Sequence, residues 1–225
     1  MQAILWDMDG VIVDSEPLYN EADAKLFASL GLPFGQKEIA AVTGVSHRVF
    51  GKLMKDWYPH LPYNEDELSE VYVKHLVDAL HNGNVQLSPG VLTWLERAKS
   101  AGIKQIIASS STAEMVGYVI ERFDLLRYLD KSADSQYSIH GAITGSDVLL
   151  GKPHPDIFLK AAERLNVKPS DCLVIEDSTN GIKAAHAANM RVAAYTATNR
   201  HGLDQSAAHA LFDVFDDETY TAIVR

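Results

Sequence analysis

Four short apolar runs do most to limit the folds that this chain can adopt. Each is continuous rather than alternating, and they span Ala3–Trp6, Gln105–Ala108, Cys172–Ile175 and Val192–Tyr195. Continuous apolar runs of this length are typical of parallel strands covered on both faces. Helical apolar patterns occur at Val91–Ala101, Thr112–Phe123, Pro155–Asn166 and Thr179–Asn189. This repeated order of strand and helix predicts an α/β fold with a doubly wound, Rossmann-like parallel sheet.

A long stretch after the first apolar run interrupts this alternation. It carries no strand signal, and its helical patterns lie at Leu18–Leu30, Gln36–Ala41, Ser46–Trp57 and Glu65–Leu80. The stretch is too long for a simple crossover connection between strands. We therefore predict an inserted α-helical domain over residues 15–84 and a core domain formed by residues 1–14 and 85–225. A last short strand is predicted at Leu211–Phe215.

The first apolar run ends in two aspartates, Asp7 and Asp9, which are followed by Gly10. Alternate residues of a strand point to the same face, so the two carboxylates are expected side by side, with Met8 turned toward the core. In open α/β sheets, ligands bind at the carboxyl ends of the strands. Two carboxylates there suit a metal ion, or a proton shared between a nucleophile and an acid. The alternative is an ordinary turn formed by Asp and Gly.

Three further polar features are expected at the same edge of the sheet. The run from Ser109 to Ser111 offers hydroxyls and successive backbone N–H groups, which suit either phosphate or an ordinary helix N-cap. Lys152 precedes a proline-led helix and is either a phosphate ligand or a solvated surface charge. Glu176 and Asp177 follow the third apolar run and suit either a metal or a helix N-terminus. Together these groups are complementary, because oxygen ligands suit Mg²⁺ while lysine and N–H donors suit phosphoryl oxygens.

Composition narrows the range of partners. The 225 residues include 47% hydrophobic residues, which is ordinary for a globular protein with one core and a small insert. A net charge of −10 leaves no basic face for phosphates, so we predict no nucleic-acid partner. Cys172 is the only cysteine, so no internal disulfide can form. We expect a cytoplasmic monomer with no signal peptide and no membrane segment.

Together these motifs resemble the haloacid dehalogenase superfamily, in the subgroup of phosphatases and β-phosphoglucomutase relatives that carry a helical cap. The matching residues are Asp7-Met-Asp9-Gly-Val-Ile-Val-Asp14-Ser-Glu16, Ala108-Ser109, Gly151-Lys152-Pro-His-Pro-Asp156 and Glu176-Asp177-Ser178-Thr-Asn-Gly181. Their order and spacing agree with the family over nearly the whole length. The resemblance implies that the helical insert is the cap.

The resemblance also implies a phosphoryl-transfer mechanism. Asp7 would be the nucleophile that forms an aspartyl-phosphate. Asp9 would protonate the leaving oxygen and then deprotonate the attacking water. Ser109 and the N–H of Ser110 would hold phosphoryl oxygens, and Lys152 would balance the negative charge.

The implied cofactor is Mg²⁺, held by Asp7, the backbone carbonyl of Asp9, and Asp177. Glu176 would lie nearby and contribute through water. The implied function is a Mg²⁺-dependent phosphatase acting on a small phosphorylated metabolite, a sugar phosphate. An acid at Asp9 favours phosphate esters over dehalogenation, because an alkoxide needs a proton on leaving and a halide does not.

The resemblance implies that the cap closes over the site and selects the substrate. The candidate substrate-selecting residues are Tyr19, Gly44, His47, Arg48 and Lys74; the alternative for each is an ordinary surface or packing residue. β-Phosphoglucomutase has arginine at the position of His47 and histidine at that of Tyr19, so these departures favour a phosphatase over a phosphohexomutase. A non-catalytic binding protein on the same fold is a third alternative, and the complete motif set argues against it.

Overall fold

The computed structural model of the chain describes residues 1–42, 45–131, 138–200 and 202–224. The chain divides into two compact units. The core unit combines Met1–Asp14 with the chain from Gln86 onward, and the helical unit is Ser15–Val85. No helix among these residues combines the length and the apolar character needed to cross a membrane.

The strands of the described residues all belong to the core unit. They are β1 (Ala3–Trp6), β2 (Val13–Asp14), β3 (Gln86–Leu87), β4 (Lys104–Ala108), β5 (Ala142–Ile143), β6 (Cys172–Glu176), β7 (Arg191–Tyr195) and β8 (Ala210–Phe212). Six of them form one sheet in the order β5-β4-β1-β6-β7-β8, in which every pairing is parallel. Strands β2 and β3 pair antiparallel as a separate two-stranded sheet.

Strand β1 lies near the middle of the six-stranded sheet. All four of its residues are fully buried, which explains its continuous apolar sequence. Trp6 pairs with Ile107 of β4 on one side and with Ile175 of β6 on the other. The carboxyl ends of three neighbouring strands therefore lie at the same level, and the residues that follow them share one edge of the sheet.

The helical unit contains α1 (Glu16–Ser29), α2 (Gln36–Val42), α3 (His47–Trp57) and α4 (Glu65–Asn82). Two of these helices begin with an N-cap residue: Ser46 caps α3, and Asn64 forms a capping box with Glu67 at the start of α4. Helices α3 and α4 pack through Phe50 and Tyr72, whose stacked rings have centroids 3.8 Å apart. The unit thus has an apolar core of its own.

The helices of the core unit are α5 (Val91–Ser100), α6 (Ala113–Arg122), α7 (Asp156–Arg164), α8 (Thr179–Ala187) and α9 (Asp217–Ile223). Thr112, Ser178 and Asp216 cap α6, α8 and α9 by accepting backbone N–H groups. The N-cap residue of α6 is therefore Thr112. Sequence patterns offered Ser109, Ser110 and Ser111 for that role. Those serines are left available for other bonds.

An aromatic cluster holds the C-terminal segment against the sheet. Trp94 of α5 stacks on Phe212 of β8 at a centroid distance of 5.0 Å, and its edge contacts include Phe215 and Tyr220. The indole N–H of Trp94 donates to the carbonyl of Asp216 at 2.8 Å. These buried contacts stabilise β8 and α9, although the sequence around them carries only a weak strand or helix pattern.

The predicted fold class, a doubly wound parallel sheet, is confirmed. The four apolar runs form β1, β4, β6 and β7 with limits within one residue of those predicted. The last predicted strand is shorter and begins one residue earlier, as Ala210–Phe212. Strand β5, the β2–β3 pair and helix α9 were not predicted, because each is short and is defined by distant partners.

Candidate active site

An ion-pair centre lies at the carboxyl end of β1. Asp7 follows this strand, is 6% exposed, and donates its N–H to the carbonyl of Ile175 at 2.9 Å. The Lys152 ammonium donates to Asp7 Oδ1 and, at 2.7 Å, to Glu176 Oε1. The Lys152 side chain is 6% exposed, so it is not a solvated surface charge. It contacts carboxylates at the carboxyl ends of two different strands, β1 and β6.

The pKa values of this centre follow from burial and charge. Burial lowers the pKa of Lys152, but the attraction of Asp7 and Glu176 outweighs it and raises the pKa above its ordinary value. Burial raises the pKa of Asp7 to about 8, opposed by Lys152 and reinforced by the charges of Glu176 and Asp9. Burial and the charges of Glu176 and Asp7 raise the pKa of Asp177. The buried carboxyl groups of Asp7, Glu176 and Asp177 therefore outnumber the single ammonium of Lys152.

The turn after β1 makes space for Asp177. Gly10 has a φ of +80°, and a Cβ built on it would overlap the carboxylate of Asp177. Backbone bonds from Gly10 to Val13 and from Val13 to Met8 close the turn at 2.8 and 3.0 Å. Met8 is fully buried, as its predicted orientation toward the core requires. Glycine is needed here because both the positive φ and the close approach exclude a side chain.

Asp9 is held by a side chain from the turn after β4. The Ser111 hydroxyl donates to Asp9 Oδ2 at 2.6 Å. In the same turn, the N–H of Ser111 donates to Ser109 Oγ at 3.1 Å, and Ser109 is 1% exposed. Ser110 between them is half-buried. The serine run thus contacts the second aspartate directly, a role for Ser111 that sequence patterns did not assign.

The Glu176 carboxylate accepts hydrogen bonds from the residues that follow it in the chain. Its Oε2 accepts from the N–H of Asp177 at 2.8 Å, the N–H of Ser178 at 2.6 Å and the hydroxyl of Ser178 at 2.9 Å. Its Oε1 accepts from Lys152. A Cβ on Gly181 would overlap the Glu176 carboxylate, so that glycine leaves the space in which the carboxylate lies. Glu176 therefore orients Lys152 and the chain at Asp177.

The acidic cluster has the composition of a magnesium site. Asp7, Glu176 and Asp177 each offer a carboxylate oxygen, and these atoms lie within 4.8 Å of one another. Mg²⁺ prefers oxygen ligands and commonly uses one or two carboxylates. Because the Glu176 carboxylate already accepts four hydrogen bonds, Asp7 and Asp177 are better placed to serve as metal ligands. The excess of buried negative charge also fits a divalent cation.

Two residues of the loop after β7 also contact the site, and the sequence did not indicate them. Thr198 donates to the carbonyl of Gly10, and Gln205 donates to the carbonyl of Asp177. Polar residues in a loop carry no signal of such contacts, because Thr198 lies 188 residues from its partner.

The other predicted site residues belong to the helical unit. Tyr19 lies half-buried in α1, and His47 lies half-buried in the first turn of α3 beside the exposed Arg48. Burial and the charge of Arg48 lower the pKa of His47. Lys74 lies exposed on α4, and Gly44 is outside the described residues.

Comparison with known proteins matches this arrangement to one family. The sequence pattern of haloacid dehalogenase-like hydrolases matches residues 1–189. Hexitol phosphatase B of Escherichia coli (strain K12) is 32% identical over 192 residues, covering 84% of this chain and 81% of that protein. The phosphorylated carbohydrates phosphatase of Thermotoga maritima is 33% identical over 192 residues, covering 84% and 82%.

A solved structure agrees over the whole fold. An aspartate-to-asparagine variant of CbbY from Rhodobacter sphaeroides, in complex with xylulose 1,5-bisphosphate, matches with a TM-score of 0.77 and 25% identity, and 96% of each chain is covered. The sheet, the acidic cluster and these relatives define a hydrolase. The chain belongs to the haloacid dehalogenase-like hydrolase family, as its sequence motifs predicted.

Proposed function

We propose that this protein is a Mg²⁺-dependent phosphatase that hydrolyses a small phosphorylated metabolite through an aspartyl-phosphate. The observation that carries the proposal is that the two aspartates at the end of β1 have different contacts. Asp7 lies beside the ammonium of Lys152, while Asp9, two residues later, is held by Ser111. A nucleophile and a separately oriented acid are what displacement of an alkoxide from phosphorus requires.

In the first step, a carboxylate oxygen of Asp7 attacks phosphorus, and the bond between phosphorus and the ester oxygen breaks. Asp9, protonated at this stage, gives its proton to the leaving oxygen, so the product leaves as an alcohol. Lys152 stays charged and offsets the negative charge of Asp7 and the phosphoryl group.

In the second step, water attacks the phosphorus of the aspartyl-phosphate. Asp9, now a carboxylate, takes a proton from that water, and the bond between phosphorus and the Asp7 oxygen breaks. Inorganic phosphate leaves, while Asp7 returns as a carboxylate and Asp9 returns protonated. Each turnover thus consumes one water and restores both aspartates.

Two further sets of groups complete the proposed site. Ser109 and the N–H of Ser110, at the carboxyl end of β4, would hold phosphoryl oxygens. Asp7, the backbone carbonyl of Asp9, and Asp177 would hold the metal, with Glu176 acting through water and through Lys152. When bound, Mg²⁺ would supply positive charge at the phosphoryl oxygens.

The relatives support a sugar phosphate as the substrate class. Two of them are named hexitol phosphatase and phosphorylated carbohydrates phosphatase, and the CbbY variant is in complex with xylulose 1,5-bisphosphate. The helical unit, residues 15–84 in the predicted division, would serve as the cap that selects among such substrates. The candidate contacts remain Tyr19, Gly44, His47, Arg48 and Lys74.

Phosphate release with Mg²⁺ tests the proposal. The panel contains hexitol phosphates, hexose phosphates, pentulose bisphosphates, phosphoglycolate and nucleoside 5′-monophosphates. We expect the highest kcat/KM with a sugar or hexitol phosphate, loss of release with EDTA, and recovery with added Mg²⁺. Asp7→Asn should release no phosphate while it remains folded, as judged by its circular dichroism spectrum. Near-normal turnover by that variant would overturn the nucleophile assignment, and no release from any ester would overturn the phosphatase.

The same preparation tests the alternatives. β-Glucose 1-phosphate with a bisphosphate primer should yield inorganic phosphate; conversion to glucose 6-phosphate without release would instead identify a mutase. Sedimentation velocity at micromolar concentration should show a monomer. Tight binding of sugar phosphates with no turnover would identify a non-catalytic binding protein.

A further inference from the structure

The loop between β7 and β8 reaches both acid-bearing turns of the site. Thr198 Oγ1 donates to the carbonyl of Gly10 at 2.6 Å. Gln205 Nε2 donates to the carbonyl of Asp177 at 2.5 Å and to that of Tyr195 at 2.9 Å. Both side chains are buried, at 5% and 6% exposed. The loop therefore fixes main-chain atoms at the ends of both β1 and β6.

The amide of Gln205 has a defined orientation. Its Oε1 accepts from Asn199 Nδ2 at 3.1 Å, while its Nε2 faces two carbonyl oxygens that need donors. Asn199 is itself held, because its side chain accepts from the N–H of Leu203 at 2.7 Å and donates to its carbonyl at 2.9 Å. A connected chain of bonds thus runs from this loop to Asp177.

The position of Asp177 depends on its main chain. Among the described residues its carboxylate accepts no hydrogen bond, and it lies against the bare Cα of Gly10. The N–H of Asp177 donates to Glu176 Oε2, and its carbonyl accepts from Gln205. Glu176 therefore holds the peptide group before Asp177, and Gln205 holds the peptide group after it. Any shift there moves the Asp177 carboxylate relative to Asp7.

We propose that Gln205, held by Asn199, is a positioning residue that sets the Asp177 carboxylate for a divalent cation. The inference rests on the proposed function, since it assumes that Asp177 is a metal ligand. Groups that orient metal ligands without touching the metal commonly change metal affinity about 10- to 100-fold when they are removed. Gln205 does this through the backbone, and Thr198 holds the opposing Gly10 turn in the same way.

The experiment measures Mg²⁺ binding by isothermal titration calorimetry on the full chain, without substrate. We expect Gln205→Ala to raise the Mg²⁺ dissociation constant about 10- to 100-fold. Asn199→Ala should raise it less, because Gln205 is retained but loses its orientation. Phosphate release should show the same order, with the loss in kcat recovered at high Mg²⁺ and the sugar-phosphate KM little changed.

The chain offers a matched control in Gln105. This side chain is 1% exposed, its Nε2 donates to the carbonyls of Leu95 and Tyr128, and its Oε1 accepts from the indole of Trp6. Gln105→Ala therefore removes an equivalent buried amide, but at the amino end of β4, whereas the candidate site lies at the carboxyl end. It should lower the melting temperature to a similar extent but leave the Mg²⁺ dissociation constant within about twofold.

The outcomes separate this inference from the proposed function. Wild-type binding that Asp177→Asn does not weaken would overturn the metal site itself. Binding that depends on Asp177 but is unchanged in Gln205→Ala would overturn only the role of Gln205. An equal loss of affinity in Gln105→Ala would show general damage and would likewise overturn it. If Gln205→Ala does not fold, unchanged Mg²⁺ affinity in Asn199→Ala decides against the proposal.

Discussion

Ser111 donates its hydroxyl hydrogen to Oδ2 of Asp9 at 2.6 Å, which joins the turn after β4 to the turn after β1. The bond gives Asp9 a partner that differs from that of Asp7, whose carboxylate contacts Lys152. Two aspartates only two residues apart therefore have different surroundings. In proteins, such a difference in environment is what allows neighbouring carboxylates to take different catalytic roles.

Ser111→Ala should therefore lower kcat about 10- to 100-fold, because Asp9 loses a hydrogen bond that helps to orient its carboxylate. Asp9→Asn alone should cost about 10²- to 10⁴-fold, the usual contribution of a general acid. Steady-state phosphate release measures both. The effect of Asp9→Asn on kcat/KM, which reports the first step, should be smaller with p-nitrophenyl phosphate, since nitrophenolate needs no proton on leaving.

A double-mutant cycle provides the control. If Ser111 acts through Asp9, adding Ser111→Ala to Asp9→Asn should cause little further loss. Fully additive losses would contradict this coupling and would assign Ser111 an independent role, such as direct contact with the phosphoryl group.

Lys152→Met should reduce the free energy of unfolding by about 3–5 kcal/mol, because it leaves Asp7 and Glu176 buried without their cation. Urea denaturation monitored by circular dichroism measures this change. Lys25→Met is the control: Lys25 pairs with Glu21 on the exposed surface of α1, where an ion pair contributes little to stability. Equal effects of the two substitutions would show that Lys152 does not hold a buried ion-pair centre.

The sequence predicted the parts of this protein that local patterns determine. Strand β1 is a fully apolar run, and the two aspartates after it follow from strand periodicity. Strand β5 could not be predicted in this way, since its two residues are defined by pairing with β4. Helix α9 depends on burial against Trp94, which lies far away in the sequence.

The same division applies to the candidate site. Asp7, Lys152 and Asp177 belong to motifs and could be named in advance. Ser111 was part of a recognised serine run, but its bond to Asp9 depends on how two strand ends face each other. Gln205 lies in a polar loop 28 residues from Asp177, and nothing in the local pattern identifies its partner.

Gly10→Ala should weaken Mg²⁺ binding, because the added methyl group occupies the space of the Asp177 carboxylate. The substitution also places alanine at a positive φ, which costs about 1–2 kcal/mol. Gly102→Ala isolates this second effect, since Gly102 has a φ of +70° and nothing lies within 4 Å of the added atom. Urea denaturation should show a loss of stability in both variants, larger in Gly10→Ala because of the overlap, and calorimetry with Mg²⁺ should show reduced metal affinity only in Gly10→Ala. Unchanged affinity there would contradict the proposed position of Asp177 in the metal site.

Asp23 should make the helical unit less stable as pH rises. It lies in α1 at 4% exposure, and its Oδ1 has no hydrogen-bond partner among the described residues. Burial raises its pKa from the ordinary value of 3.8 to about 7. The folded protein therefore holds a proton that the unfolded chain has already lost between about pH 4 and pH 7. Stability is fully present below this window and is lost as pH rises through it.

Asp23→Asn mimics the protonated side chain and should remove this dependence. We expect its free energy of unfolding to equal that of the wild type near pH 4 and to exceed it at pH 8 by on the order of 4 kcal/mol. Urea denaturation at intervals across this range measures the difference. Asp78→Asn, at an exposed position on α4, should keep the wild-type pH profile. A constant difference between Asp23→Asn and the wild type at every pH would show that folding does not shift the pKa of Asp23.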